Sequence, residues 1–419
     1  MMTGKERIDR VLSHHEADKI ALDFGATPIT GIHVKQIAAL RRHYGLEDKP
    51  VKVIEPFQML GEVDEELAKL WDVDAIGVSG PYDMMGHRQE NFVEKRMPWG
   101  QVVLLPECFK MKEENGNTYV FPQGDTNYPP SAMMPASGFF FDAIERVPAT
   151  DFDTELKLED NLEEFTPLTD DDLAYWKGAL SKARATGKSV VANIGGTGLG
   201  DVALVPAMGL KNPKGIRAIA DWYMSTIVRE DFLREIFDRQ TDIAIQNLAK
   251  INQAAGDCID IIYTCGTDFG TQDSQFCSAE GLEALYGDAY RKVNNWIHQH
   301  THWKTFKHCC GSIVPLLDTM IDMGFDIINP VQINAAGMDP QFLKDTFGSR
   351  VTFWGGGIDT QKVLPLATPQ KVRDQTYRLC EIFGKNGGFV FNSIHNIQAN
   401  VPVENVIALM DAICEIRKK

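Results

Sequence analysis

The chain lacks several features that define specialised classes of protein. It has 42 Lys and Arg residues against 58 Asp and Glu, a formal net charge of -16, and no block of basic residues. Because this charge repels polyanions, it argues against nucleic acid and anionic membrane surfaces as partners. The chain also has no signal peptide and no apolar run of about 18 residues, the length that a membrane span requires. What remains is ordinary globular composition, with 44% hydrophobic and 24% charged residues.

Regular disulfide spacing is missing as well. The eight cysteines lie mostly in apolar runs, at positions 108, 258, 265, 277, 309, 310, 380 and 414. A disulfide-stabilised secreted protein would space them regularly, so this pattern predicts a reducing, cytoplasmic location. The chain of 419 residues is long enough to bury a large core and has the size of an enzyme.

The second half of the chain alternates between strand-like and helix-like segments. Strands are predicted at 189–194, 260–263, 303–306, 325–329, 351–354 and 388–392, after an earlier one at 73–78. Helices are predicted between and after them at 229–255, 279–300, 312–323, 339–347, 368–385 and 402–418. The strand–helix unit repeats about every 25–40 residues, which indicates a parallel sheet. An α/β fold of the (β/α)8 or TIM-barrel type fits best. The glycines at 196–200 have GxGxG spacing, which favours a tight turn over a dinucleotide site.

The first half of the chain is less regular. Helices are predicted at 3–16, 32–44 and 169–186, with Thr3 as the N-cap of the first. The segment 81–150 is instead rich in Pro, Gly, Asn and aromatic residues, and it contains Met133, Met134 and the run Phe139–Phe141. We predict a single domain over residues 1–419, in which 81–150 forms short strands over the C-terminal face of the barrel. Its aromatic and Met side chains are suited to wrapping an apolar substrate.

A candidate metal pair follows the predicted strand at 303–306. The sequence there is His308-Cys309-Cys310-Gly311. Residues two apart on a strand share one side of the chain, so the His308 imidazole and the Cys310 thiol are predicted to lie together. A soft thiolate beside an imidazole is suited to zinc. Taken alone, such a pair also fits a buried cysteine beside a packed histidine.

Polar residues at the other strand ends favour the functional alternative. Active sites of α/β barrels lie at the C-terminal ends of the strands. Those ends carry Asn193, Cys265 to Asp268, Gln272, His308, Cys310, Gln332, Asn334, Gly355 to Gly357, Asp359, His395 and Asn396. Of these, we predict that Asn193, Asp268, Gln272, Gln332 and Asp359 bind or orient the substrate.

His395 is the predicted third ligand. It follows the last predicted strand, so it belongs to the same rim as His308 and Cys310. Three protein ligands with one open position are typical of catalytic zinc sites, whereas structural sites are closed by four. We therefore assign His308, Cys310 and His395 to both catalysis and metal binding. The fourth ligand stays open, and Cys265 or Asp268 would close the site if it were structural.

Residues 258–414 resemble the uroporphyrinogen decarboxylase superfamily and, within it, the corrinoid-dependent methyltransferases. Those enzymes are similar at His308-Cys309-Cys310-Gly311 and at a helix start that reads Val401-Pro-Val-Glu-Asn405 here. Where they carry a last-strand cysteine, this chain has His395. The decarboxylases have an arginine-rich signature near the N-terminus. In that region this chain reads Asp23-Phe-Gly-Ala-Thr-Pro-Ile-Thr-Gly31 and has no such arginine cluster. The resemblance thus implies a TIM barrel and disfavours decarboxylation.

The resemblance implies methyl transfer through a corrinoid (cobalamin) carried by a separate partner protein. The extra segment and the harder ligand His395 favour a methoxylated, aromatic donor whose methyl group passes to cob(I)alamin, which is O-demethylation. In this interpretation, Zn2+ acts as a Lewis acid on the ether oxygen. Two alternatives remain: transfer from a methylated corrinoid to a thiol, and a decarboxylase-like or non-catalytic tetrapyrrole-binding protein.

Overall fold

The computed structural model describes residues 2–150, 155–194 and 197–418. The strands, in chain order, are β1 (Ala21–Leu22), β2 (Ile32–His33), β3 (Val51–Glu55), β4 (Leu60–Gly61), β5 (Ala75–Ser79), β6 (Phe92–Arg96), β7 (Val102–Pro106), β8 (Met111–Glu114), β9 (Asn117–Val120), β10 (Ala132–Met134), β11 (Asp142–Ala143), β12 (Ser189–Asn193), β13 (Ile261–Cys265), β14 (Lys304–His308), β15 (Ile327–Asn329), β16 (Thr352–Trp354) and β17 (Phe389–Phe391). The helices are α1 (Gly4–Leu12), α2 (Val34–His43), α3 (Glu65–Trp71), α4 (Asp170–Arg184), α5 (Ile219–Val228), α6 (Glu230–Ala255), α7 (Ala279–His300), α8 (Val314–Asp322), α9 (Pro340–Phe347), α10 (Val363–Leu366), α11 (Pro369–Gly384) and α12 (Val403–Ile416).

Eight parallel strands form the barrel, in the order β1-β17-β16-β15-β14-β13-β12-β5. The two ends of this sheet meet where the backbone N–H of Asp74 donates to the carbonyl of Leu22 at 2.9 Å. The predicted TIM barrel is confirmed. The sequence did not reveal β1, because two residues are too short to show a periodic pattern.

Alternation along the strands divides the barrel core into an inner and an outer face. Phe306 packs inside the barrel against the rings of Tyr263 and Trp354, with centroids 5.7 and 5.4 Å apart. Val190 and Ile262 pack outward, under the helices. His308 follows Phe306 by two residues, so this alternation turns its imidazole to the inner side at the C-terminal end of β14.

Two small sheets form an added layer at the C-terminal end of the barrel. One has the order β2-β4-β3-β7-β6 and the other β11-β10-β9-β8, so the layer includes strands that precede the predicted segment 81–150. Its interior is apolar, with Phe109, Met134 and Phe141 fully buried. The layer is joined to the loops that leave the barrel: Gln123 donates to the carbonyl of Gly209 at 3.0 Å. The predicted insertion is therefore attached at the C-terminal face.

The loop after β12 contains part of the predicted glycine turn. Gly196 lies outside the described residues, while Gly200 has φ of +64° and packs against Tyr286, Phe237 and Trp222. Glycine adopts this conformation at low cost and leaves room for the three rings, which agrees with a tight packed turn. Among the described residues, no helix combines the length and the apolar character needed to cross a bilayer.

Candidate metal centre

His308, Cys310 and His395 converge at the C-terminal end of the barrel. Their ligand atoms all lie within 4.8 Å of one another. Nε2 of His308 is 3.3 Å from Sγ of Cys310, and the rings of His308 and His395 meet edge to face with centroids 5.5 Å apart. Two strand ends that are distant in sequence, β14 and β17, thus bring three potential ligands together.

Asn329, at the end of β15, fixes the orientation of His308. The Asn329 amide nitrogen donates to the carbonyl of Trp354 at 2.8 Å, so its oxygen faces His308. That oxygen lies 2.7 Å from Nδ1 of His308 and accepts its proton. The neutral ring then has a free lone pair on Nε2, which faces Cys310. A ligand histidine held by a hydrogen bond through its other nitrogen is the usual arrangement in metal sites.

Asp268 and Gly311 position Cys310. The Cys310 N–H donates to the Asp268 carboxylate at 2.6 Å, and this carboxylate is 3.7 Å from Nε2 of His308. Gly311 has φ of +95°, and a Cβ there would lie 2.4 Å from the carbonyl carbon of Gly270. Burial and the Asp268 charge raise the pKa of the Cys310 thiol well above its ordinary value. Without a metal, Cys310 is a neutral thiol, and a bound cation favours the thiolate.

His395 is partly buried and stays uncharged. Burial, with a smaller effect from His308, lowers its pKa to about 4. The N–H of Asn396 donates to Nδ1 of His395 at 2.8 Å, which leaves the proton of the neutral ring on Nε2. His395 must therefore release this hydrogen bond, or turn its ring over, to offer Nε2 to a metal.

The donor set fits zinc. Two imidazoles and one thiol are ligands that zinc prefers. Two ligands already have a suitable geometry, because His308 lies close to Cys310 and donates a hydrogen bond to Asn329. Only His395 requires a local rearrangement.

The predicted substrate-binding residues occupy different parts of the mouth. Gln332 accepts the Gly311 N–H at 2.8 Å and donates to Gln272 at 3.1 Å, so both connect to the loop of Cys310. Asn193 donates to the carbonyl of Ala26 at 3.2 Å, across the barrel interior. Asp268 lies beside His308 and Cys310, as described above. Their role towards a substrate stays a prediction.

Asp359 lies in a separate part of the rim. Its carboxylate accepts the N–H groups of Gln361 and Lys362 at 2.8 and 3.0 Å and the Asn334 amide at 3.0 Å. It also borders a cavity of about 400 Å³ together with Asn334 and Arg378. These contacts hold a turn in place, and Asp359 is not part of the His308–Cys310–His395 cluster.

Four residues near the site were not predicted. Asn329 holds His308, as described above. Lys307 is fully buried behind the site, and Asp201 and Tyr263 meet beside Gly266. Asn329 had a detectable signal, because it is a polar residue at a strand end. Lys307 and Tyr263 lie within strands, and the strand period alone gives no reason to assign them to a site.

Together, the fold and the site define a (β/α)8-barrel protein with a candidate metal centre at the mouth of its barrel. The model of the uroporphyrinogen decarboxylase (URO-D) family matches residues 151–416. The chain belongs to this family.

One solved structure shows the same fold at low sequence identity, and others are more distant. A methyltransferase from Methanosarcina mazei is 16% identical with a TM-score of 0.56, and the match covers 99% of each chain. A D-psicose 3-epimerase has a TM-score of 0.30 and 10% identity, covering 58% of this chain and 81% of the epimerase. A hyperthermophilic β-glucosidase has a TM-score of 0.38 and 10% identity, covering 93% and 96%. The last two are too remote to bear on function, and no curated protein matches the chain.

Proposed function

We propose that this protein is a zinc-dependent methyltransferase. It moves a methyl group from a methoxylated aromatic donor to the cob(I)alamin of a separate corrinoid protein. The observation that carries the proposal is the convergence of His308, Cys310 and His395 within 4.8 Å at the mouth of a URO-D-family barrel. The fold shared with the Methanosarcina mazei methyltransferase supports it.

In this proposal, His308, Cys310 and His395 hold the zinc, and Asn329 and Asp268 keep the first two in place. Zinc supplies a Lewis acid at the point where an ether oxygen becomes a leaving group, whose charge would otherwise oppose loss of the methyl group. Lowering that barrier by about 4 kcal/mol corresponds to roughly a thousandfold in rate.

The added layer supports an aromatic donor. Asn396, next to His395, donates to Gln58 at 2.9 Å. The neighbouring Phe57 accepts the Phe141 N–H on its carbonyl at 2.8 Å. Aromatic residues of the layer are thus connected directly to the loop that carries the third ligand. Phe57 is half-buried, so its ring is a candidate to contact the donor.

The charge around the site disfavours a decarboxylase. The Asp268 carboxylate lies 3.7 Å from His308 at the candidate metal centre. A porphyrinogen with its many carboxylates would need compensating arginines, but it would meet carboxyl groups here. An uncharged methoxylated ring avoids that cost.

The metal is tested by the zinc content of purified protein. We expect about one zinc per chain, and loss of it in His308→Ala, Cys310→Ala and His395→Ala without unfolding. His302→Ala and Cys258→Ala, which change the same residue types elsewhere, should retain the metal. Normal zinc content in His395→Ala would remove that residue from the site.

Activity is tested with a reduced corrinoid protein and a panel of methoxylated phenols, following the cobalt absorbance. We expect conversion to methylcobalt and release of the free phenol, with no conversion in Cys310→Ala.

The direction of methyl transfer is tested by X-ray absorption at the zinc edge. This method resolves a Zn–S distance of about 2.3 Å from a Zn–O distance of about 2.0–2.2 Å. A new Zn–S shell on adding a thiol, with no response to methoxylated phenols, would reverse the assigned direction.

A further inference from the structure

Two side-chain oxygens from different parts of the chain converge on Gly266. A Cβ at Gly266 would lie 2.4 Å from Oδ2 of Asp201 and 2.6 Å from the hydroxyl of Tyr263. The two oxygens are therefore within about 5 Å of each other. Asp201 comes from the loop after β12, and Tyr263 from β13. Only glycine at 266 allows this approach.

The meeting point lies beside the candidate metal centre. Gly266 precedes by two residues Asp268, which accepts the Cys310 N–H. The charges of Asp268 and Cys310 contribute to the raised pKa of Tyr263, after burial and Asp201. The pair thus lies beside the loop that positions Cys310.

One carboxylate oxygen of Asp201 is held, and the other faces Gly266. Oδ1 accepts the Ala203 N–H at 3.0 Å, which fixes the orientation of the carboxyl group. Among the described residues, neither Oδ2 nor the Tyr263 hydroxyl has a hydrogen-bond partner. Both are available to a bound molecule.

The surroundings favour a protonated Asp201. Burial is the main cause that raises its pKa, and the negative charge of Asp268 adds to it. The hydrogen bond from Ala203 and the charges of Lys307 and His308 act in the opposite direction but do not cancel the rise in pKa. Tyr263 from β13 and Tyr223 from α5, whose own pKa Asp201 helps to raise, also face this carboxyl. A carboxyl group that holds its proton more tightly than usual is suited to donate that proton to a leaving group.

We propose that Asp201 is the catalytic acid that protonates the leaving oxygen of the donor, with Tyr263 hydrogen-bonded to the same oxygen. This inference rests on the proposed function. When the methyl–oxygen bond breaks, its electron pair stays on the aryl oxygen. The methyl carbon takes an electron pair from the reduced corrinoid, the second substrate, whose cobalt is formally oxidised from I to III. The proton of Asp201 moves to the aryl oxygen, and the carboxylate is reprotonated by water.

The test compares Asp201→Asn with the wild type on methoxylated aromatics whose phenols differ in acidity. We expect kcat to fall by about 100-fold or more for the least acidic phenols, and much less for strongly acidic ones that leave as phenolates. Tyr263→Phe should show a smaller loss. Zinc content should not change in either variant.

A second measurement does not depend on activity. We expect the wild type to show one infrared C=O band of a protonated carboxyl group that Asp201→Asn lacks, and to keep it to a higher pH than an ordinary aspartate would. Asp23 and Glu55, whose pKa burial raises to about 6 and about 7, contribute equally to both spectra. An equal loss of kcat across the panel, or no such band in the wild type, would overturn the acid role. A wild type that demethylates no donor would instead refute the proposed function, and the acid role with it.

Discussion

At the scale of single residues, Lys307 is the most unusual side chain near the site. It lies on the outer side of β14, fully buried, and its ammonium donates to the carbonyl of His308 at 2.6 Å and to that of Thr267. It also lies over the rings of Phe269 and Tyr290, 5.0 and 5.9 Å from their centroids. Carbonyl oxygens and aromatic faces compensate for the loss of water around the charge.

Lys307→Met should destabilise the protein and weaken metal binding. It leaves two buried carbonyls without their donor and frees the backbone of His308, so we expect a loss of about 2–3 kcal/mol of unfolding free energy. Urea unfolding of the zinc-free protein measures the first effect, and a zinc titration measures the second. Lys177→Met, at an exposed position, should change stability by less than about 0.5 kcal/mol. Unchanged urea midpoints and zinc affinity in Lys307→Met would contradict this role.

The sequence predicted where the site residues lie in the fold, but not how their side chains are oriented. Strand alternation predicted that the His308 and Cys310 side chains lie on one side of the chain. In the structure, Nε2 of His308 is 3.3 Å from Sγ of Cys310. The hydrogen bond that His308 donates to Asn329 joins residues 21 positions apart, and no local pattern contains it. Asp201 lies in a loop whose path depends on packing, so its approach to Tyr263 was not predictable.

At the scale of elements, His33 joins the added layer to the barrel rim. The backbone N–H of His33 donates to the carbonyl of Ile397 at 2.9 Å. Its Nδ1 accepts the Lys35 N–H at 3.1 Å, so its Nε2 carries the proton and donates to the carbonyl of Phe139 at 2.9 Å. Burial lowers the pKa of His33 to about 4. The neutral ring therefore forms part of this connection between the added layer and the barrel rim, here called the joint.

This joint should weaken in mild acid. The folded pKa is about 4 and the unfolded value is near 6.5, so the unfolded state binds more protons between these values. The contribution of His33 is fully present above about pH 6.5 and is lost as pH falls towards 4, to a total of about 3 kcal/mol. Urea midpoints measured across this range should vary less in His33→Gln than in wild type. The exposed His302→Gln should retain the full dependence, and an unchanged slope in His33→Gln would rule out the effect.

At the scale of the whole molecule, Asp74 joins the first, last and closing segments of the barrel. Its carboxylate accepts hydrogen bonds from Arg7 of α1 and, at 2.8 Å, from Arg417 after α12. It also accepts the Leu22 N–H of β1 at 2.8 Å. All these groups are buried or nearly so. The ion cluster thus lies where β1 and β5 complete the barrel.

Asp74→Asn should destabilise the entire barrel. It removes the carboxylate shared by two buried guanidinium groups, which keep Asp18 and Asp72 as partners. We therefore expect a cost of about 3 kcal/mol, the lower end for a broken buried pair. Chemical unfolding should remain a single transition at a lower urea concentration. Asp318→Asn, which removes an exposed partner of Arg350, should cost less than about 1 kcal/mol. Equal losses in the two variants would argue against a special role for the cluster.

The barrel was predictable because the repeat of strands and helices recurs along the chain. Each predicted strand from 73 to 392 corresponds to an observed one within a few residues. The added layer was less predictable, because β3 pairs with β7 across about fifty residues. Short strands with non-local partners carry little periodic signal.

The close contact between Gly311 and Gly270 limits how this protein can evolve or be engineered. Any side chain at 311 would push apart the loop that carries Asp268 and the loop that carries Cys310. A saturation library at 311, selected for zinc retention, should return glycine alone. Gly45 also has a positive φ, +68°, but nothing lies within 4 Å of its virtual Cβ, so asparagine should survive there. The loop of Asp268 and the loop of Cys310 therefore have to be kept together in any redesign of the barrel entrance.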